Sequence, residues 1–490
     1  MGLMRFLCPS DSLPDDVVEQ AYLAGYDRIP WRVEVRQVAN ELVVDRENTD
    51  SGNLYIPWEV AGHGRVTLAT CSLMERAAPY NLAVELARGE LAQLRNQAAE
   101  WQLSGIRLPD TLRERIAEAT GRFRLASCAR QSLEEATATA NESLRVTLDA
   151  ALELTACYAE QTLAARRDEE SRLSTFLGAN VGVSLLDENT SVQYLETFNA
   201  AAVPMVWREI ETTQGSFYWD ITDKQIEWCR KHGLTVCGGP LLLFDPWRLP
   251  QWLADFDNDF NGIVACVTEF LQTVVGRYRG SVDVWICGAR MNTADALSLT
   301  EHERIRLTAR AVEIIHSLDR DAERIVSFDR PWGEYLSRGA VDFSPLHFAD
   351  ALVRARLGLT GLMLEMNLGY LPGGTLPRDP LDVSRHLDYW SLLGIPVHVS
   401  LTLPSSSAED PLAIRHGKIQ TAIRNSQSQA EWVRRTVPLI LSKGYVHGIL
   451  WNQLRDSEPH DFAHGGLFDA KRNPKPALEH LAEIRRGYLR

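Results

Sequence analysis

The sequence predicts an α/β protein: an eight-stranded parallel (β/α)8 TIM barrel over residues 176–490, preceded by a small β-rich domain (1–80) and a helical segment (81–175). Three observations predict it. Strand-like runs separated by turn signals fill the first 80 residues. Ala, Leu, Glu and Arg at helical spacing dominate the next hundred, and beyond about residue 175 short apolar runs alternate with helical segments.

In order, "RIPWRVEVRQV", "ELVVD", "NLYIPWEV" and "GRVTLATCSLM" carry the β-branched and aromatic residues of strands, with "DRENTDSGN" as a polar turn between them. From "APYNLAVELARGELAQLRNQAAEWQL" to "AALELTACYAEQTLAARRDEESRL" the period becomes helical, and "GIRLPD" interrupts it once. Two or three long helices are expected there, as a compact hairpin, because no a/d heptad is sustained over four repeats. The barrel strands are expected at "FLGANVGVSLL", "AAVPMVW", "LTVCGGPLLLF", "VDVWICG", "RIVSFD", "GLMLEMNL", "IPVHVSLTL" and "VHGILWNQL". Each is near-continuously apolar, as a strand covered on both faces must be, and each leaves room for a helix. An open doubly wound sheet is the alternative, but no G-x-G-x-x-G opens a helix after the first strand.

Composition narrows the function classes. A formal net charge of −14, spread along the chain, repels phosphate backbones and anionic membranes, so nucleic acid and membrane are not expected partners. No apolar run reaches the roughly 18 residues that span a bilayer, and the start lacks the layout of a secretory signal, which together lead to a cytoplasmic expectation. The eight cysteines are scattered without a C-x-x-C pair and read as reduced interior residues. No cofactor is expected. His460 and His464 have i, i+4 spacing, but Pro459 and the Gly465-Gly466 pair make the stretch a loop, so no metal is expected either. His398 reads as a satisfied interior histidine, and Ser405 to Ser407 as loop.

Several passages carry a resemblance. "GSFYWDITDKQIEWCRKHGLTVCGG", "VVGRYRGSVDVW" and "HGGLFDAKRNPKPALEHL" resemble, in order and spacing, the corresponding stretches of glycoside hydrolase family 10, the retaining β-1,4-xylanases. The resemblance covers roughly residues 176–490 and implies the barrel fold. It also implies a pair of carboxyl groups about 5–5.5 Å apart, one protonating the leaving oxygen and the other attacking the sugar. The family's acid/base ends the fourth strand in "WDVVNE", which aligns with Trp285 to Arg290 and puts Arg290 at the glutamate. Its nucleophile ends the seventh strand in "ITELD", which puts Leu401 at that glutamate. The polar "ENEMK" and "GHTLVWH" stretches become Val203 to Trp207 and Gly238 to Phe244, and "GLQSH" becomes a run with Glu365 and Asn367.

The expectation is therefore a family-10-like barrel deficient as a retaining xylanase, a pseudoenzyme that keeps a cleft for an oligosaccharide or a related small polar ligand. Trp207, Trp247, Trp332 and Trp451 fall at or beyond strand ends, where aromatic faces stack on pyranose rings. Trp451 aligns with the family's "WG-x-x-D" tryptophan. Asn367 and Asp456 are candidate sugar contacts. Glu365 and Asp329 are the candidate relocated carboxylates, with a mutual Arg290–Glu365 ion pair as the structural reading. Two alternatives stay open: an active glycosidase using those relocated groups, and a non-catalytic scaffold whose N-terminal helices bind a protein partner or self-associate.

Overall fold

A computed structural model describes residues 2–8, 13–128, 132–339, 341–371, 373–415, 417–420 and 425–490. Its dominant element is a closed barrel of eight parallel strands: β1 (Phe176–Asn180), β2 (Ala200–Val203), β3 (Thr235–Gly238), β4 (Val284–Ala289), β5 (Glu323–Asp329), β6 (Gly361–Asn367), β7 (Val397–Thr402) and β8 (Val446–Trp451). Each strand pairs with the next, and β8 closes on β1. This is the α/β barrel that the eight apolar runs predict.

Alternation along each strand sorts its residues between two cores. Phe176, Ala202, Cys237, Ile286, Ile325 and Met363 point inward and fill the barrel. Their neighbours Val326, Leu364, Val399 and Ile449 point outward into the larger core beneath the helices. Continuous burial on both faces explains why these runs carry no polar alternation. At the barrel floor, His398 is buried and neither ring nitrogen has a hydrogen-bond partner among the described residues; the Glu323 carboxylate is 3.7 Å away. Burial holds its pKa down to about 3, so the ring is neutral. The expectation of a satisfied histidine is thus corrected.

Ahead of the barrel lie a four-stranded sheet, ordered Val33–Val38, Glu41–Arg46, Gly2–Leu7, Tyr80–Asn81, and a three-stranded sheet of Tyr22–Ala24, Asn53–Val60 and Gly64–Ala69. Three helices follow, Leu82–Leu103, Asp110–Ala126 and Leu133–Glu169. The first is capped by Asn81, whose side chain accepts from the Val84 N–H, and the third by a capping box of Ser132 and Glu135. Their apolar faces are covered. Leu86, Ala140 and Leu148 pack under the sheets, while Leu94, Trp101 and Leu154 pack with Leu381 of the barrel helix Pro380–Ser391.

The two parts are joined by a buried arginine. Arg378, whose side chain is fully buried, donates to Glu334 at 2.8 Å and to the Tyr22 hydroxyl at 2.9 Å, with Asp382 at 3.4 Å. Tyr22 stacks on Tyr55 at 4.9 Å. Tyr22→Phe keeps that stack and removes one acceptor from a buried cation, so we expect it to lower the unfolding free energy by about 1.5 kcal/mol, read by denaturant titration. All eight cysteines are free thiols, five of them buried. Among the described residues no helix is long and apolar enough to cross a membrane.

Candidate functional site

All eight strands deliver their carboxyl ends to one mouth, the face where barrels of this kind carry chemistry. Pairing register sets the heights: Asp329 of β5, Glu365 of β6 and Ser400 of β7 stand level. On β4 the register shifts between Ile286 and Gly288, so that Ala289 faces Ser327. The next residue, Arg290, takes the left-handed backbone conformation (φ 59°), uncommon for a side chain of this size. Its N–H donates to the Ser327 carbonyl at 3.1 Å.

The arginine occupies the centre of the mouth. Arg290 Nε donates to Glu365 Oε2 at 2.8 Å and Nη1 to Asp461 Oδ2 at 3.0 Å; the guanidinium lies over the Phe462 ring, 5.4 Å from its centroid. Asp461 Oδ1 accepts from Arg248 at 2.7 Å. Glu365 Oε1 accepts from the Ser327 hydroxyl at 2.9 Å, and the Asn367 amide approaches Oε2 at 3.4 Å. The result is a chain of alternating charge, Glu365–Arg290–Asp461–Arg248, laid across the mouth. A further pair, Arg415 with Asp245, flanks it.

Electrostatics keep Asp461 and Arg290 of this chain ionised. Burial alone works against each charge, but for Asp461 the nearby Arg248, Arg290 and Arg415 outweigh it and hold the carboxyl well below the usual carboxylate range. For Arg290, burial likewise opposes the charge, and Glu365 and Asp461 outweigh it, raising its pKa. A carboxylate so held does not carry a proton at neutral pH, so Asp461 is not a general acid.

Two spaces at the mouth are bordered by Arg290. Around Arg290, Glu365, Ser327 and Ser400 the axial cavity measures only about 90 Å³. Beside it, over the ends of β4 and β5, a cleft of about 340 Å³ is lined by Asp245, Trp247, Arg290, Asp329 and Arg330. Ligand pockets start near 300 Å³, so the side cleft, not the axis, has room for a ligand.

Several sequence expectations are corrected by this geometry. Leu401 does not face the mouth: it points outward into the helix-side core, fully buried, and the β7 residue lining the axial cavity is Ser400. Trp207 is interior, stacked on Phe270 at 4.5 Å with its indole N–H donated to Glu211, and offers no face to a sugar. Trp332 is stacked on His386 at 4.0 Å and has Arg378 over its ring. Asp456 is consumed by Lys475 at 2.5 Å, the Gln453 amide and the Gly466 N–H. Trp451 borders the axial cavity but is 2% exposed, its N–H donated to the Gly465 carbonyl. Asn367 is wholly buried between Glu365 and Asn452. Only Trp247, 62% exposed, presents an open indole at the mouth.

Asp329 is buried. Its Oδ2 accepts from Thr293 at 3.2 Å and Arg330 at 3.1 Å, while Oδ1 has no hydrogen-bond partner among the described residues. His460 bonds Asp410 at 3.0 Å, with His464 Nδ1 at 3.6 Å from the same oxygen. Among the described residues no group of three His, Cys, Asp or Glu side chains is arranged to hold a metal.

Comparison with known proteins follows the barrel. Residues 177–287 match the model of glycosyl hydrolase family 10. The barrel is family-10-like. The matched stretch runs from β1 into β4 and ends three residues short of Arg290. Endo-1,4-beta-xylanase 3 of Hypocrea jecorina is 27% identical over 81 residues, 16% of this chain and 22% of that protein. Endo-1,4-beta-xylanase 2 of Claviceps purpurea is 27% identical over 75 residues, 15% and 22% of the respective chains. Both matches therefore span about a fifth of the relatives' own length. Among solved structures, native xylanase 10B from Thermotoga maritima superposes with a TM-score of 0.50 at 17% identity, covering 65% of this chain and 97% of its own. That likeness is one of fold.

Proposed function

We propose that this family-10-like barrel is deficient as a retaining β-xylanase and works as a carbohydrate-binding protein of the cytoplasm. The observation that carries the reading is the Arg290 guanidinium, bonded to Glu365 at 2.8 Å and Asp461 at 3.0 Å in the middle of the mouth. Retaining hydrolysis requires one protonated carboxylic acid and one free carboxylate facing each other across the sugar. Here the fourth strand ends in a cation and β7 offers a serine. The sugar-binding half of the reading rests on the open indole of Trp247 above a polar cleft, together with the resemblance to xylanases.

A second reading, hydrolysis by relocated carboxylates, is favoured by one observation: Asp329 and Glu365 stand level on adjacent strands. It ranks below the first because Glu365 already accepts hydrogen bonds from Arg290 and Ser327. The scaffold reading ranks lower still, since the N-terminal helices bury their apolar faces within the chain.

Calorimetry of the full chain against xylo- and gluco-oligosaccharides tests the binding half. We expect a dissociation constant below about 10 mM, equivalent to roughly −2.7 kcal/mol, for at least one neutral oligosaccharide; heats indistinguishable from dilution across the panel overturn it.

A further inference from the structure

We infer that the ligand seat lies off the barrel axis, in the cleft between the ends of β4 and β5, where Asp329, Arg290 and the open face of Trp247 take a neutral pyranose, not an anion. This deepens the carbohydrate reading above and rests on it.

The first support is unmet hydrogen bonding. Arg290 uses Nε and Nη1 on Glu365 and Asp461, and its Nη2 has no partner among the described residues. Asp329 is 2% exposed, and its Oδ1 is likewise bare. A buried carboxylate oxygen without a donor is a standing cost, and native structures rarely carry one without a reason. Both groups line the same cleft. A hydroxyl satisfies either partner, because it donates to a carboxylate and accepts from a guanidinium. Asp329 lines the cleft although its Oδ1 is buried, and the terminal torsion of an aspartate is soft, so a rotation of the carboxylate can turn an oxygen to a hydroxyl.

Charge balance decides the ligand class. Each arginine of the cleft already has a carboxylate: Arg290 has Glu365 and Asp461, Arg330 has Asp329, and Arg415 has Asp245. Among the described residues no cation of the cleft is left over to neutralise a phosphate or a uronate, and an anion placed here would face Asp245, Asp295 and Asp329. A neutral polyhydroxy ring meets no such repulsion. Trp247 supplies the apolar face: its indole makes no ring contact among the described residues and is 62% exposed. An open aromatic face beside a few placed polar groups is the general make-up of a small-ligand site, and here it suits the apolar C–H face and hydroxyl rim of a pyranose.

The test is calorimetry of the full chain, wild type against Trp247→Ala and Asp329→Asn, with xylotriose and cellotriose as neutral probes and glucuronate and inorganic phosphate as anionic ones. We expect a neutral trisaccharide to bind the wild type, each substitution to weaken it at least tenfold, and the anions to give no heat. Trp247 is exposed, so its replacement leaves the fold intact even where a melting curve shows Asp329→Asn to be unstable. Trisaccharide binding that is unchanged in Trp247→Ala overturns the off-axis seat while leaving the carbohydrate reading in place. Tighter binding of glucuronate or phosphate overturns the neutral-ligand assignment. Absence of any trisaccharide binding by the wild type at about 10 mM removes both readings.

Discussion

Arg290→Met is expected to destabilise the protein by about 3–5 kcal/mol, the cost of leaving buried carboxylates without their cation. Glu365 and Asp461 both lose a direct partner, at 2.8 and 3.0 Å respectively. Asp461 keeps Arg248 at 2.7 Å, whereas Glu365 keeps only the neutral Ser327 and Asn367. Most of the penalty therefore sits on Glu365. Combining Arg290→Met with Glu365→Gln replaces that charge by an amide of the same shape, and the double variant is expected to be more stable than Arg290→Met alone. A double-mutant cycle should give a coupling of roughly 0.5–3 kcal/mol. Denaturant unfolding followed by two probes measures it, provided that the transitions coincide. Additive effects would show that the pair contributes nothing as a pair. Because both side chains are at most 10% exposed, added salt should barely reduce the coupling, unlike that of a surface ion pair.

The barrel was legible because its strands are buried on both faces, and long apolar runs with helical spacers admit few other architectures. The Arg290–Glu365 pair was legible for a related reason: the strand ends of a barrel converge on one mouth, so long charged side chains at the ends of β4 and β6 can meet across it. What the linear sequence hid is the depth and direction of individual side chains. Alignment puts Leu401 at the mouth, yet the two-residue period of β7 turns it outward and brings Ser400 in, and a one-residue difference reverses every side chain. Trp207 and Trp332 follow strand ends as expected, but Phe270 and His386, distant in sequence, cover their rings. Asp461 lies inside "HDFAH", where the i, i+4 histidines are the local signal and the carboxylate carries none. Its partner Arg290 is 171 residues away, and Arg248 sits in a third loop, so no local spacing signals the charge chain.

No retaining turnover of an aryl β-xylobioside is expected. A missing general acid by itself lowers the rate by about 10²–10⁴-fold, before the missing nucleophile is counted, and each tenfold corresponds to about 1.36 kcal/mol of transition-state stabilisation. The groups present do not make up the loss. Asp461 is held deprotonated by three arginines, Glu365 has both oxygens engaged, and among the described residues Ser400 has no histidine or lysine bonded to it that would raise its nucleophilicity. Space argues the same way, since an axial cavity of about 90 Å³ falls short of the pockets that seat even small ligands. The measurement is release of the aryl group by purified protein across pH 4–9. A rate within about a hundredfold of an ordinary retaining xylanase would sink the deficient reading. In that event Asp329→Asn and Glu365→Gln identify the source. Loss of activity in both assigns hydrolysis to the relocated carboxylates level on β5 and β6, because a working acid and nucleophile must stand on facing groups. Activity surviving in both traces the signal to a contaminating enzyme, since no other carboxylate pair among the described residues stands level at the strand ends of this mouth.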